Sequence, residues 1–321
     1  MAAVRADIAG ARVTDIHVLI TGETGTGKEL VAEAIHEGSD RRGRSFVRIN
    51  CAAIPESLVE NELFGHERGA FTGAESQRGG LLEDGAGGTV FFDEVGDMSP
   101  LAQAKILRVI ENKEVRRLGG RGTILIDIRV LAATNQDLEQ RVSGGAFRAD
   151  LYYRLNVARI HVPPLRQHKE DIPELTDHYI KDCNQRFGGT VEGVDDAVLQ
   201  RWLQYDWPGN VRELRNVVES SFLKARSGRI SLSALSGHFL ELLERRHGTT
   251  DERQQLLDAL FRADWNKTRA AETLRWSRMT LYRRLAKHGL NRPLPPGERA
   301  DGTPLRSPID TRRRQRFTNR P

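Results

Sequence analysis

The chain has 321 residues, with 49 Lys or Arg against 44 Asp or Glu and a formal net charge of +5. That length suits two domains and a small third unit, and a hydrophobic fraction of 38% is too high for a wholly disordered chain. Two cysteines, Cys51 and Cys183, exclude a disulfide scaffold and an all-cysteine metal site. No apolar run approaches the ~18 residues of a membrane span. The first twenty residues lack a basic stretch followed by an apolar core, so no membrane partner and a cytoplasmic location are expected. The charge is unevenly placed: residues 291–321 and 251–290 are both net basic, while residues 1–250 are net acidic. Such a chain is expected to meet a polyanion at its C-terminal end.

In chain order, Val18-Leu19-Ile20 is a short apolar run that ends at a glycine cluster, and Leu30, Val31, Ala34 and Ile35 follow at helical spacing. This predicts strand, glycine-rich loop and helix. Further strands are predicted at Phe46–Ile49, Thr89–Phe92 and Ile128–Ala132, with helix-patterned stretches between them, which argues for a parallel sheet covered on both faces. After Pro163-Pro164 the strand signals stop. Residues 171–187, 195–205 and 211–225 show helical periodicity, broken at Gly188-Gly189 and at Trp207-Pro208-Gly209-Asn210. Residues 251–290 read as three short helices. Residues 291–321 hold six of the twelve prolines among scattered arginines and are expected to be disordered.

Gly22-Glu23-Thr24-Gly25-Thr26-Gly27-Lys28 fits G-x-x-x-x-G-K between a strand and a helix. Glycines let backbone N–H groups close around phosphate oxygens, and the helix N-terminus adds a positive dipole end. Lys28 is expected to reach the β- and γ-phosphates of ATP. The eighth position is Glu29, where a Ser or Thr usually helps to hold Mg²⁺. Val90-Phe91-Phe92 then carries Asp93 and Glu94 at the C-terminal end of a buried strand, where ligands of α/β sheets bind. Asp93 is the candidate Mg²⁺ partner, and Glu94 the candidate base that polarises an attacking water. Cys51 is expected to pack as a small hydrophobe. His66 and His161 are expected to be structural, because none of the nine histidines has a partner at convincing metal spacing.

These residues resemble a known family, the AAA+ activators of sigma-54 RNA polymerase. The loop GETGTGKE, Glu29 included, is similar to that family's own phosphate loop. The string Gly69-Ala70-Phe71-Thr72-Gly73-Ala74 resembles the GAFTGA loop by which such proteins contact sigma-54. An aromatic among small residues suits a mobile contact whose position follows nucleotide state. The resemblance implies that Phe71 bears on the partner, with Thr72 as a polar contact or a loop anchor. It also implies that Asn50 restrains the catalytic Glu94 until the γ-phosphate is sensed. Thr134 and Asn135 would form a first sensor, and Arg212 a second sensor on the lid. Arg148 and Arg154 would be arginine fingers from a neighbouring subunit, so a homo-oligomer that passes from dimer to ring, expected to be a hexamer, is implied.

Within residues 251–290, Leu256, Leu257, Leu260 and Phe261 mark a first helix. Ala270, Ala271 and Leu274 mark a second, and Leu281 and Leu285 a third, with Ser277 as its N-cap. The third helix exposes Arg278, Arg283, Arg284 and Lys287, with no acid from Ser277 to Leu290, as in a helix-turn-helix that enters the major groove of double-stranded DNA. Asn266–Glu272 and Thr280–Leu285 resemble the Fis-type DNA-binding domain of the same family, which adds Thr280 to the DNA contacts. The turn reads Leu274-Arg275-Trp276-Ser277, where that module usually has a glycine. A helical hairpin used only for oligomerisation is the alternative.

The resemblance therefore implies an α/β AAA+ parallel-sheet nucleotide-binding domain with an all-α lid, plus a small all-α helix-turn-helix domain. The boundaries are 1–165 for the ATPase core, 166–240 for the lid, 250–290 for the DNA-binding unit and 291–321 for the tail. Only seventeen residues precede Val18, too few for a sensory domain, so the expectation is either regulation in trans, or a chain that is a fragment or a mis-started reading frame. The function implied is an ATP-hydrolysing activator that binds an upstream DNA site and remodels the sigma-54 holoenzyme at the promoter. A DNA-binding regulator with a vestigial ATPase domain is the alternative, and an AAA+ enzyme acting on DNA itself, which would make no use of GAFTGA, ranks below both.

Overall fold

The computed structural model describes residues 1–243 and, within 256–290, all but 258, 262, 264, 275 and 289. The chain divides into two units, Met1–Leu240 and Glu241–Pro321. In the first, helix α1 (Ala2–Arg12) precedes β1 (Val18–Thr21), α2 (Lys28–Glu37) and β2 (Phe46–Asn50). Helix α3 (Glu56–Phe64), the short strands β3 (Gly65–His66) and β4 (Arg78–Gly79), and α4 (Leu81–Asp84) lead to β5 (Thr89–Asp93). There follow α5 (Pro100–Asn112), β6 (Glu114–Val115), β7 (Ile124–Leu125), β8 (Arg129–Thr134), α6 (Leu138–Ser143), α7 (Ala149–Leu155) and β9 (Ala158–His161).

Strands β2, β5, β8, β1 and β9 form one parallel sheet in that order. Of the strands anticipated in the sequence, β1, β5 and β8 are its inner strands, buried on both faces as parallel strands require, and Phe46–Ile49 lies in edge strand β2. Side chains alternate between the faces. Leu19, Phe92, Val130 and Ala132 pack with Leu63, Ile106 and Leu151 of α3, α5 and α7. Val18, Ile20, Phe91 and Leu131 pack with Val4, Val31 and Ile35 of α1 and α2. Edge strand β9, absent from the sequence reading, buries only Ile160 well, so it carries little periodic signal. Helix α1, also unanticipated, is fastened by the buried Arg129, whose guanidinium donates to the carbonyls of Ala11 (2.7 Å) and Ile16 (3.3 Å).

The lid comprises α8 (Ile172–Phe187), β10 (Thr190–Val194), α9 (Asp196–Gln204), α10 (Asn210–Ser221) and β11 (Ser227–Ile230). It is helical, as the periodicity indicates, but strand structure does not stop at Pro163-Pro164, because β10 and β11 pair in parallel. Gly193 and Gly228 break the alternation within this ladder, which hides it from pattern reading. The lid is centred on Trp207, fully buried, with its ring against Trp202, Tyr205 and Phe239 and its Nε1–H donated to the Trp202 carbonyl at 2.8 Å.

In the second unit, residues 256, 257 and 259–261 are helical, followed by α11 (Lys267–Thr273) and α12 (Arg278–Lys287). Leu256, Leu257, Leu260, Ala270, Ala271, Leu281 and Leu285 form its core, in keeping with the three expected helices. Asn266 caps α11, and Ser277 caps α12 by accepting from the Thr280 N–H at 3.1 Å. Arg275, in the turn where a glycine is usual, and the 291–321 tail, expected to be disordered, lie outside the described residues. Among the described residues no helix is long and apolar enough to cross a membrane.

Removing the Trp207 ring leaves a void at the centre of the lid. Trp207→Ala is expected to destabilise the protein by about 3–5 kcal/mol, seen as a lower urea midpoint.

Candidate functional site

The loops after β1, β5 and β8 lie at one end of the sheet. Strand β8 lies between β1 and β5, so the residue that follows it can reach both neighbours. Asn135 does so: its Nδ2 donates to Thr24 Oγ1 at 2.9 Å, and its backbone N–H donates to Glu94 Oε2 at 3.1 Å. On the other side, Glu94 Oε1 lies 3.7 Å from Lys28 Nζ. Glu94 adopts a left-handed backbone conformation, φ 51°, which costs a non-glycine residue roughly 1 kcal/mol and is a kind of strain that gathers at functional sites.

Lys28 is only 6% exposed and turns back on its own loop, donating to the carbonyls of Gly22 (3.0 Å) and Glu23 (3.2 Å). Burial lowers its pKa, and the nearby carboxylates of Glu94 and Asp93 partly oppose that shift. Gly25 and Gly27 have φ of 80° and 92°. A Cβ at Gly25 would sit 2.4 Å from the Gly209 carbonyl oxygen, so glycine there serves both the turn and the close approach of the lid. Thr26 Oγ1 donates to the Glu23 carbonyl at 2.8 Å. A cleft of about 240 Å³ opens beside the loop, and Lys28, Glu29, Asp93 and Glu94 of the core face Tyr179 and Arg212 of the lid across it. The carboxylate of Glu29 is engaged by Arg48 at 3.0 Å, which leaves Asp93 as the strand-end carboxylate next to the phosphate loop.

Not every expected residue converges here. Asn50 lies opposite Asp93 in the sheet register, but its Oδ1 accepts from the N–H groups of Ala52 (3.0 Å) and Ala53 (3.1 Å). In this structure Asn135, rather than Asn50, engages Glu94. Arg148 pairs with Asp150 through bonds of 3.0 and 2.7 Å, and Arg154 is exposed on α7; neither lines the cleft of its own chain. Three residues that the sequence reading passed over do belong here. Tyr179 forms part of the cleft wall. Arg166 donates to Glu23 Oε2 at 2.8 Å, and the fully buried Asn210 donates to the same oxygen at 3.2 Å. The only available signal for Asn210 was its place in the Trp-Pro-Gly-Asn turn.

The string Gly69–Ala74 forms a closed turn above the β3–β4 ladder. Gly69 N–H donates to the Ala74 carbonyl at 2.8 Å and Ala74 N–H to the Phe71 carbonyl at 3.0 Å, with positive φ at Gly69 and Gly73. Phe71 is 46% exposed, and its ring meets that of His66 edge-on at 5.0 Å. Thr72 is exposed, Ala74 is buried, and Ala70 presses against Gly119, which follows β6. His66 is structural, as expected, with Nδ1 2.6 Å from Asn61 Oδ1. Thr134 is buried at the end of β8, with Oγ1 accepting the Gln136 N–H.

On α12, Arg278, Arg283 and Lys287 are exposed, and Thr280 shares a 2.8 Å hydrogen bond with the Ser277 hydroxyl. The Arg284 guanidinium lies 5.9 Å from the Trp276 ring centroid. Met279 and Tyr282 add exposed apolar surface to the helix, which the charge pattern had not indicated. Both cysteines are buried with raised pKa, so they behave as hydrophobes and not as nucleophiles. Asp182, Cys183 and Glu219 lie near one another, but Arg186 already bridges the two carboxylates at 3.1 and 2.7 Å.

Hydrogen bonds from Arg166 and then Asn210 draw the Glu23 pKa from its ordinary 4.5 down to about 2. A lowered folded-state pKa gives stability that is present above pH 4.5 and lost as pH falls towards 2. Because Glu23 is 44% exposed the effect is screened and modest. Glu23→Gln is expected to flatten the acid side of a Tm-against-pH profile between those values.

Residues 1–161 match the family described as the Sigma-54 interaction domain. Residues 166–253 match the AAA+ ATPase lid domain, and residues 251–288 the Bacterial regulatory protein, Fis family. The chain is 44% identical over 294 residues to the transcriptional regulatory protein ZraR of Salmonella typhimurium, covering 88% of this chain and 65% of that protein. It is 46% identical over 268 residues to the Nif-specific regulatory protein of Azotobacter vinelandii, covering 80% and 51% respectively. The chain thus spans between about half and two thirds of the length of these curated relatives. Among solved structures, NtrX from Brucella abortus in complex with ADP superimposes with a TM-score of 0.70 at 32% identity, over 90% of this chain and 68% of that one. The complex of NtrX with ATP gives 0.67 at 33% identity, over 90% and 67%. With the interaction-domain match spanning half of its length and the lid and Fis-type modules following in order, this chain belongs to the family of sigma-54-dependent transcription activators of the AAA+ class.

Proposed function

We propose that the protein hydrolyses ATP and uses the energy to remodel a sigma-54 RNA polymerase closed complex, which it reaches from an upstream DNA site. The observation that carries this reading is the position of Glu94, held between Lys28 and the Asn135 N–H at the mouth of the cleft. A carboxylate fixed beside a phosphate-loop lysine is suited to accept a proton from a water that attacks the γ-phosphorus. On nucleotide binding Lys28 would exchange its carbonyl partners at Gly22 and Glu23 for phosphate oxygens, with little reorganisation because its charge is already held in place. Asp93 would hold Mg²⁺, which supplies charge neutralisation at the phosphates. Arg212 would contact the nucleotide from the lid.

The pairing of Arg148 with Asp150, away from the cleft, supports their use in trans: Arg148 and Arg154 would complete a neighbour's site, which calls for a ring. The exposure of Phe71 and Thr72 supports a role for the 69–74 loop as the sigma-54 contact. Exposed Arg278, Arg283 and Lys287, with Thr280 and Arg284, would read and grip the DNA major groove. The meeting of Lys28, Asp93 and Glu94 at one cleft favours a hydrolysing enzyme over a vestigial ATPase.

Purified protein is expected to show Mg²⁺-dependent ATPase activity that Lys28→Ala reduces at least about a hundredfold. Thr72→Ala is expected to keep ATPase activity while open-complex formation at a sigma-54 promoter falls to background. Full open-complex formation by Thr72→Ala would overturn the loop assignment, and no ATP binding at millimolar concentration would overturn the enzyme.

A further inference from the structure

Asn210 is the first residue of the lid helix α10, and its side chain joins three segments distant in sequence. Its Oδ1 accepts the Leu165 N–H at 2.9 Å, at the junction between core and lid. Its Nδ2 donates to the Thr24 carbonyl at 3.0 Å and to Glu23 Oε2 at 3.2 Å, both in the phosphate loop. The residue is fully buried, and its backbone has a φ of 52°, a conformation that glycine adopts more easily. An asparagine in that place is explained by the side chain, because only an amide offers an acceptor to Leu165 and donors to the loop at once. Nearby, the Arg212 N–H donates to the Gly25 carbonyl at 3.2 Å, so the start of α10 rests on the loop along its backbone as well.

We infer that Asn210 is a positioning residue that fastens the lid to the phosphate loop, so that nucleotide binding and lid orientation are read through neighbouring peptide units of that loop. This rests on the proposed nucleotide site. Lys28 Nζ is bonded to the carbonyls of Gly22 and Glu23, and Asn210 to the carbonyl of the next residue, Thr24. Release of the Lys28 bonds when phosphate arrives therefore acts one peptide away from the lid's anchor. Thr24 also receives Asn135 through its hydroxyl, and Asn135 holds Glu94. The base, the loop and the lid thus share one continuous set of hydrogen bonds. By linkage, if nucleotide favours the fastened lid orientation by some factor, that orientation binds nucleotide more tightly than the unfastened one by the same factor.

Asn210→Gly keeps the positive φ and removes all three side-chain bonds, so its effect belongs to the side chain. The equilibrium Kd for Mg·ATP, measured by displacement of a fluorescent ATP analogue from the full chain, is expected to rise roughly tenfold, equivalent to one net hydrogen bond to the loop. The fold-change in KM should exceed that in kcat. Asn210→Asp keeps the acceptor for Leu165 but sets a carboxylate against Glu23, and is expected to bind ATP more weakly still, with Glu23→Gln restoring part of the loss. A Kd for Asn210→Gly within twofold of wild type would overturn the proposal. So would a lowered Tm and a smaller competent fraction whose Kd is unchanged, the mark of a merely structural residue. Because Kd needs neither hydrolysis nor sigma-54, failure of the functional reading would show separately, as wild-type protein that binds ATP but does not hydrolyse it or open promoters.

Discussion

The site depends on a charge kept in a place that costs it solvation. Lys28 is almost fully buried, and its ammonium survives there because two carbonyls of its own loop and the Glu94 carboxylate surround it. Burial works against the charged form and the carboxylates work for it. That balance requires three chain segments to meet within a few ångströms, and the strand order supplies the meeting. With β8 inserted between β1 and β5, Asn135 can bond Thr24 on one side and Glu94 on the other. Parallel strands put all three loops at the same end, and the two apolar layers that cover the sheet hold that end rigid.

The lid and the 69–74 loop are two different mechanical attachments to this centre. The lid is bound tightly: Gly25 and Gly209 approach so closely that a side chain at Gly25 could not fit, and Asn210 and Arg166 both grip Glu23. The 69–74 loop is bound lightly, through its own turn, the edge of His66 and the contact of Ala70 with Gly119. A rigid hinge side and a loosely seated contact suit a machine that moves one surface against a fixed one.

Much of this was legible in the sequence, for identifiable reasons. Inner strands buried on both faces leave continuous apolar runs, and β1, β5 and β8 were readable for that reason. Edge strand β9 and the ladder of β10 with β11 bury too few residues at regular spacing to leave such a trace. The phosphate loop was readable because its residues are contiguous. Asn210 and Arg166 were not, because their partner Glu23 is 187 and 143 positions away, and a single buried asparagine has no periodic signature. Asn50 shows the opposite limit. The resemblance gave it a hold on Glu94, whereas its amide here closes the Ala52–Ala53 turn.

In the proposed ring, each chain would hold the phosphate machinery and take Arg148 and Arg154 from a neighbour. Subunit mixing tests it most directly. Protein carrying Lys28→Ala, whose α7 arginines are intact, is combined with protein carrying Arg148→Ala and Arg154→Ala, whose phosphate loop is intact. Two preparations inactive alone are expected to recover ATPase activity when mixed, in proportion to the mixed interfaces. Two preparations that stay inactive at every ratio, or arginine variants that hydrolyse ATP normally by themselves, would contradict it.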